Sequence, residues 1–314
     1  MTSKIRFGVV NESVLGGPAW LDHVRRVEDS GVDVFLMRDH FSADAYGQQL
    51  APFSALAAAA AVTTRLHVGT LVLANDFRHP VIVAHEALSL QHLSGGRFEL
   101  GLGAGWYRPE YEAAGIPFEP PGRRITRLEE SLTIITGLLD GAKVDHAGGS
   151  YQITGFDLDV LPRQHGRPRL LLGAGGPRML GMAARHADIV GLLPAPIKNS
   201  DDRDDPHDLL PSALDQKIAV LRARAGDRFA ALQLSAFVTI QVTDHRRPAT
   251  EALIAKRGWS GIDVNAVWEM PTVLIGSVTQ IRADLQARQE RFGLSYLVTS
   301  DRALPTLTEI IASL

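Results

Sequence analysis

The sequence predicts one (β/α)8 barrel of the TIM type across residues 1–314, with insertions after several strands. Three observations lead there. Short apolar runs alternate with helical patterns from end to end, giving about eight βα units. The strand runs are continuously apolar rather than alternating, which marks parallel strands covered on both faces. No linker or composition break divides the 314 residues, and a hydrophobic content of 45% suffices for one large core. A doubly wound open sheet shares the first two features. The count near eight and the unbroken chain favour the barrel.

Ile5 to Val10 reads as the first strand, and Pro18 opens a helix with Leu21, Val24 and Val27 at helical spacing, closed by Gly31. Val32 to Met37 is the second strand and Pro52 to Val62 its helix. Leu66 to Leu73 is the third strand, with a helix from Pro80 to about Leu93, and Phe98 to Leu102 is the fourth. In the helix Arg124 to Leu139, Ile125, Leu128, Leu132, Ile135 and Leu139 step by three and four. Lys143 to Ile153 reads as a small hairpin excursion around Gly148-Gly149. Arg169 to Leu172 is the fifth strand, Pro177 to His186 its helix, and Asp188 to Leu192 the sixth strand. Pro194 to Pro211 reads as a loop, solvated or acting as a lid. Helix Leu214 to Ala223, strand Leu232 to Val242, helices Ala249 to Trp259 and Val278 to Arg291, strand Ser295 to Thr299 and helix Leu304 to Ala312 complete the chain.

Composition excludes several function classes. Net charge is −3 and the Lys and Arg residues are scattered, so no nucleic-acid partner is expected. The absence of cysteine removes disulfides, thiolate metal sites and thiol nucleophiles. The longest apolar stretch, Leu50 to Val62, is too short for a bilayer, and the N-terminus runs into a strand without a secretory signal. A cytoplasmic protein without a membrane partner is the expectation.

Barrel chemistry sits at the C-terminal ends of the strands. Strand two ends in Arg38-Asp39-His40, an acid–imidazole pair suited to proton transfer beside a cofactor, with Asp39 as a helix cap the alternative. Strand four runs into Gly101-Leu102-Gly103-Ala104-Gly105-Trp106, which fails as a dinucleotide fingerprint. Its glycines are read as letting a planar ligand or neighbouring backbone approach, with Trp106 as a pocket wall or a core residue. Strand five leads into Gly173-Ala174-Gly175-Gly176-Pro177-Arg178 and a helix, read as a phosphate cradle or a plain tight turn. His85 and His92 are two helical turns apart, too far to chelate one ion, so no metal is expected. Glu12, just past strand one, is the remaining carboxylate placed to face the pocket. With no hydrolase elbow or Walker loop, the chemistry left is that of a cofactor with a flat ring and a phosphate.

These residues resemble the luciferase-like monooxygenase superfamily over nearly the whole chain. The matching motifs are Asp39-His40; Val68-Gly69-Thr70-Leu71-Val72-Leu73 with Phe77-Arg78-His79-Pro80; Leu93 to Trp106; Glu110-Tyr111; Gly115 to Phe118; Arg127 to Glu130; Gly173 to Pro177; and Leu274 to Ser277. Leu73 to Pro80 is most similar to an actinobacterial group assigned to the deazaflavin coenzyme F420. The resemblance implies that Asp39 bonds the deazaflavin ring and His40 sits against it. It also implies a non-proline cis peptide at Leu71-Val72 behind the ring, and Ala74 along the ring or ribityl chain. Gly173, Gly175 and Gly176 would hold the phosphate, with Ala174, Gly105 and Trp106 as further cofactor contacts. Sugar-phosphate dehydrogenases of this kind carry a glutamate where Trp106 stands and a tryptophan near Asp44, so that substrate class is disfavoured. The pterin reductase of methanogens also fits poorly.

The expectation is therefore an F420-dependent oxidoreductase, with His40, Asp39 and Glu12 as its catalytic set. Hydride would pass between F420 and a C=C, C=N or C=O substrate, in either direction, with His40 handling the proton. An FMN-dependent, reductase-coupled monooxygenase is the alternative, and a non-catalytic flavin-binding barrel the second. Arg38, Arg78, Arg178 and Lys198 are candidates for a basic approach to the mouth, suited to the polyglutamate tail of F420. Trp259, Trp268 and Phe118 suggest a partly apolar guest, and the resemblance implies a homodimer.

Overall fold

The computed structural model describes residues 4–194 and 205–314, and the chain folds as the parallel (β/α)8 barrel that the sequence predicts. The first half comprises β1 (Arg6–Val10), α1 (Gly17–Asp29), β2 (Val34–Met37), α2 (Ala43–Tyr46), α3 (Pro52–Ala61), β3 (His67–Thr70), β4 (Leu73–Ala74), α4 (Pro80–Leu93), β5 (Phe98–Gly103), α5 (Arg108–Ala113) and α6 (Pro121–Leu139). It continues through β6 (Val144–Ala147), β7 (Gln152–Phe156), β8 (Arg169–Ala174), α7 (Pro177–His186), β9 (Ile189–Leu192) and α8 (Pro211–Ala225). The chain ends with β10 (Gln233–Phe237), β11 (Thr239–Val242), α9 (Arg246–Arg257), α10 (Val264–Glu269), β12 (Val273–Gly276), α11 (Val278–Phe292), β13 (Leu294–Ser300) and α12 (Leu304–Ser313).

Two compact units divide the chain. The first, Val10–Asp29 with Asp33–Leu172, is built on parallel pairings of β2 with β3 and of β5 with β3, β4 and β8. In register, Val34 faces His67, Val68 faces Phe98, Leu73 faces Leu102, and Leu100 faces Leu170. Helix α6 starts on Pro121, whose fixed φ suits a first turn, and buries Leu128, Leu132, Ile135 and Leu139 on one face. Each such leucine or isoleucine stabilises the unit by roughly 1.5–3 kcal/mol on burial. The guanidinium of Arg97, in the glycine-arginine motif before β5, donates to the carbonyls of Ala60, Thr63, Leu66 and Ser94, which makes it a structural knot.

The predicted hairpin forms as the antiparallel pair β6–β7. The Glu130 carboxylate holds its tip by accepting from the backbone N–H groups of Gly149, Ser150 and Tyr151. The predicted strand Leu66 to Leu73 is interrupted after Thr70 and resumes at Leu73, with a cis peptide between Leu71 and Val72.

The second unit, Met1–Val9, Ser30–Val32 and Gly173–Leu314, pairs β10 in parallel with β9 and β13. Here the sequence reading needs a correction. The single strand Leu232 to Val242 is two strands, because the chain changes partner at Val238. Val238 N donates to Val298 O at 2.7 Å, whereas Thr239 N donates to Thr272 O at 2.9 Å. Strand β11 then pairs with β12, a separate parallel pair that sequence periodicity did not reveal. Trp259, Val267, Met270, Val273 and Ile275 form a small core beneath it. Helix α11 shows why its boundaries were legible. Ser277 and Gln280 make a capping box, and Gly293 closes the helix in the left-handed region. The predicted loop Pro194 to Pro211 lies partly outside the described residues, and Pro206–Leu209 forms a short 3-10 turn.

Candidate active site

Strand β2 delivers the site. Val34, Phe35, Leu36 and Met37 are fully buried, and the two residues that follow, Arg38 and Asp39, stay buried although charged. Such charges need partners. Asp39 receives Arg78 in a two-pronged pair at 2.6 and 3.0 Å and accepts Ala74 N at 3.0 Å. Its carboxylate thus ties the end of β2 to β4 and to the turn before α4, and it caps no helix. Arg38 pairs with Glu12 at 2.6 Å and lies over the Tyr46 ring at 4.0 Å. Two of the arginines expected to guide a polyanionic tail are therefore engaged within the fold, and Lys198 lies outside the described residues.

His40 does find a carboxylate, but not its sequence neighbour. Adjacent residues of an extended chain point to opposite sides. The acid that meets its Nδ1, at 2.9 Å, is Glu110, buried in the first turn of α5. The other oxygen of Glu110 accepts Ser42 N at 2.8 Å and also the backbone N–H of Phe41. The acid–imidazole pair is therefore His40–Glu110, not Asp39–His40. In the sequence Glu110 stands out only as part of the Glu110-Tyr111 motif. A separation of 70 residues between the partners left no local signal.

Aromatic rings surround this imidazole. Tyr46, Trp106 and Tyr107 lie 5.3, 6.1 and 6.2 Å from His40, centroid to centroid. Trp106 is 50% exposed and Phe41 58%, so Trp106 is no core residue. The aromatics first suspected of meeting a guest do other work. Phe118 packs on Tyr111 with Arg124 3.9 Å above its ring. Trp268 donates to Thr250 Oγ1 at 2.8 Å, and Trp259 is buried in the small core of the second unit.

The glycines at the end of β5 and just past it make room for the protein itself. A Cβ at Gly101 would overlap the Thr70 carbonyl, next to the cis Leu71-Val72 peptide that the resemblance implies. Gly105 adopts φ 74° and leaves space for the Tyr111 hydroxyl, whose phenol is raised by burial and by the neighbouring Asp76. Leu71, Val72, Ala74 and Gly105 are partly exposed around this segment.

In the second unit, β8 ends at the fully buried Ala174, whose carbonyl accepts Leu193 N at 3.0 Å. A Cβ on Gly175 would overlap the Pro194 carbonyl, so this glycine is required by packing. A Cβ on Gly173 would lie 3.1 Å from the Leu193 side chain, whereas one on Gly176 would meet open space. Gly176 is the N-cap of α7 and supplies no side-chain cap, with Pro177 following. An uncapped helix start open at its N-cap fits a phosphate. Among the described residues, no cluster of three or more metal-ligating groups occurs, and no helix is long and apolar enough to cross a membrane.

The luciferase-like monooxygenase family model matches residues 17–292. The chain belongs to that family. Among curated luciferase-like relatives, an F420-dependent glucose-6-phosphate dehydrogenase of Microbacterium testaceum is 32% identical over 60% of this chain and 56% of its own. A 4-hydroxyprotoasukamycin monooxygenase of Streptomyces nodosus is 32% identical over 58% of this chain and 48% of its own. The chain spans about half the length of the curated relatives it matches. Among solved structures, an F420-dependent secondary alcohol dehydrogenase superposes with a TM-score of 0.77 at 16% identity, covering 99% of both chains. The tetrahydromethanopterin reductase of Methanopyrus kandleri gives 0.73 at 17%, again over 99% of each. These likenesses establish the fold.

Proposed function

We propose that this chain is an oxidoreductase moving a hydride between coenzyme F420 and a small, partly apolar organic substrate. It would reduce C=C, C=N or C=O or run the reverse reaction. The observation that carries the reading is the His40 imidazole, fixed through Nδ1 and rimmed by half-exposed aromatic rings. F420 supplies hydride chemistry when bound. Asp39, paired with Arg78, holds the β4 segment in place, and its remaining acceptor capacity suits a ring N–H. Leu71, Val72, Ala74, Gly105 and Trp106 would line the ring, and Gly173, Gly175 and Gly176 would receive the phosphate, with Ala174 packing behind them. His40 gives or takes the proton that balances the hydride, a contribution of about 10²–10⁴-fold to rate. Glu12, held by Arg38, is read as a positioning group rather than an acid or base.

The names of relatives described as F420-dependent glucose-6-phosphate dehydrogenases support the coenzyme. Trp106 and Phe41, large apolar side chains that stay exposed, support an apolar guest. The reading includes a cytoplasmic homodimer. The second reading, an FMN-dependent monooxygenase, is favoured by the similarity to the protoasukamycin enzyme. Titration of the purified protein with F420 and with FMN separates them. Micromolar F420 binding, with F420 absorbance changing on addition of ketones, enones or alcohols, is the expected outcome. Tight binding of FMN alone overturns the first reading.

A further inference from the structure

We infer that Glu110 sets the tautomer of His40, so that neutral His40 carries its proton on Nδ1 and presents a lone pair at Nε2. The inference rests on the reading of His40 as the proton-transfer group. Its geometric basis is independent of any coenzyme.

Glu110 is nearly fully buried and meets three nitrogens. Its Oε1 accepts the backbone N–H of Phe41 and of Ser42, the latter at 2.8 Å. Backbone amides can only donate, so Oε1 is fixed as an acceptor. Its Oε2 faces His40 Nδ1 at 2.9 Å. An ionised carboxylate accepts only, and it satisfies all three nitrogens at once if Nδ1 bears hydrogen. The second ring nitrogen of neutral His40 is then a base. Under the proposed function, a substrate bringing an O–H or N–H to Nε2 would lose that proton there while the hydride on its carbon goes to oxidised F420 as the acceptor. In the opposite direction the proton must first be loaded on Nε2, giving imidazolium beside Glu110. Because one carboxylate also clamps the amides of Phe41 and Ser42, it fixes the turn after β2 and the ring orientation together. Glu110 is thus a positioning residue acting through His40.

The isosteric Glu110→Gln change makes this sharp. The amide oxygen must stay on the two backbone donors, which turns the side-chain NH2 onto Nδ1. Nδ1 then becomes an acceptor and the proton moves to Nε2.

The test is 15N-edited NMR of the imidazole nitrogens in coenzyme-free protein, above the imidazole titration range. Signals among the 11 histidines are assigned by their loss in His40→Asn. Wild type should show a pyrrole-type Nδ1 and a pyridine-type Nε2 for His40, and Glu110→Gln should exchange them. In Glu110→Ala the preference should fall to a mixture. With any substrate found to turn over, kcat of Glu110→Gln should drop by about 10²-fold or more, with KM changed much less. A wild-type Nε2–H tautomer, or an unchanged tautomer in Glu110→Gln, overturns the inference. Since the NMR needs no coenzyme, failure to bind F420 would defeat the functional reading and leave this result standing.

Discussion

At the scale of single residues, the site is governed by buried charge and by what neutralises it. Asp39 lies against Arg78 with both prongs occupied, and Ala74 N adds a third donor. Removing one member of such a pair leaves the other desolvated and unmatched, which costs more than the pair itself contributes. Asp39→Ala should therefore destabilise the protein by about 3 kcal/mol. Urea denaturation of Asp39→Ala, Arg78→Ala and the double variant reads this as a coupling. The double variant should be less destabilised than the sum of the two singles. Additive losses would mean that the pair is not coupled in solution. His40 behaves differently, since it is held by Glu110 on a distant helix, and its substitution should spare stability relative to Asp39→Ala.

At the scale of elements, two helix and loop ends carry measurable consequences. The β6–β7 hairpin is anchored by Glu130, which accepts from three amides at its tip and lies 3.4 Å from His146. Burial acts to raise the Glu130 carboxyl, but the Ser150, Tyr151 and Gly149 amides and the His146 hydrogen bond outweigh it and hold the group below its ordinary value. A carboxyl lowered in the folded state stabilises fully above its unfolded value. That contribution is lost as pH falls through the folded value. Amide protection factors in residues 144–156, taken relative to the intrinsic exchange rate at each pH, should therefore fall on acidification below the ordinary glutamate range, and Glu130→Gln should show the lower protection already at neutral pH. The second case is the start of α7. Gly176 has extended dihedrals, φ −96° and ψ 161°, and open space where a Cβ would stand. Aspartate is a favoured N-cap, so Gly176→Asp should leave thermal stability equal or higher. Its charge should repel a phosphate, and binding of a phosphate-bearing coenzyme, measured by calorimetry, should weaken at least tenfold. Unchanged affinity would remove the phosphate from this helix start.

At the scale of the whole molecule, a coenzyme that binds only the folded chain stabilises it by mass action. At a hundredfold excess over Kd the gain is about 2.7 kcal/mol. F420 should raise the melting temperature in a concentration-dependent way, whereas a duplex oligonucleotide should not, given the net charge of −3. Sedimentation should give about twice the chain mass of 34.0 kDa if the homodimer forms.

The sequence by itself determined the fold class, because period, length and punctuation are local properties of the chain. Pro177 opens α7 and His186 ends it, Pro80 to Leu93 is a helix, and eight apolar runs are strands of the barrel. The candidate site residues Asp39 and His40 were legible as polar residues closing an apolar run, together with the family motifs around them. Partnership was not legible. Which carboxylate meets His40, why Asp39 is locked to Arg78, and why the chain switches sheets at Val238 all depend on groups brought together from far along the sequence. Hydrogen bonds and ion pairs form between atoms within about 3 Å, and only the folded backbone decides which atoms come that close.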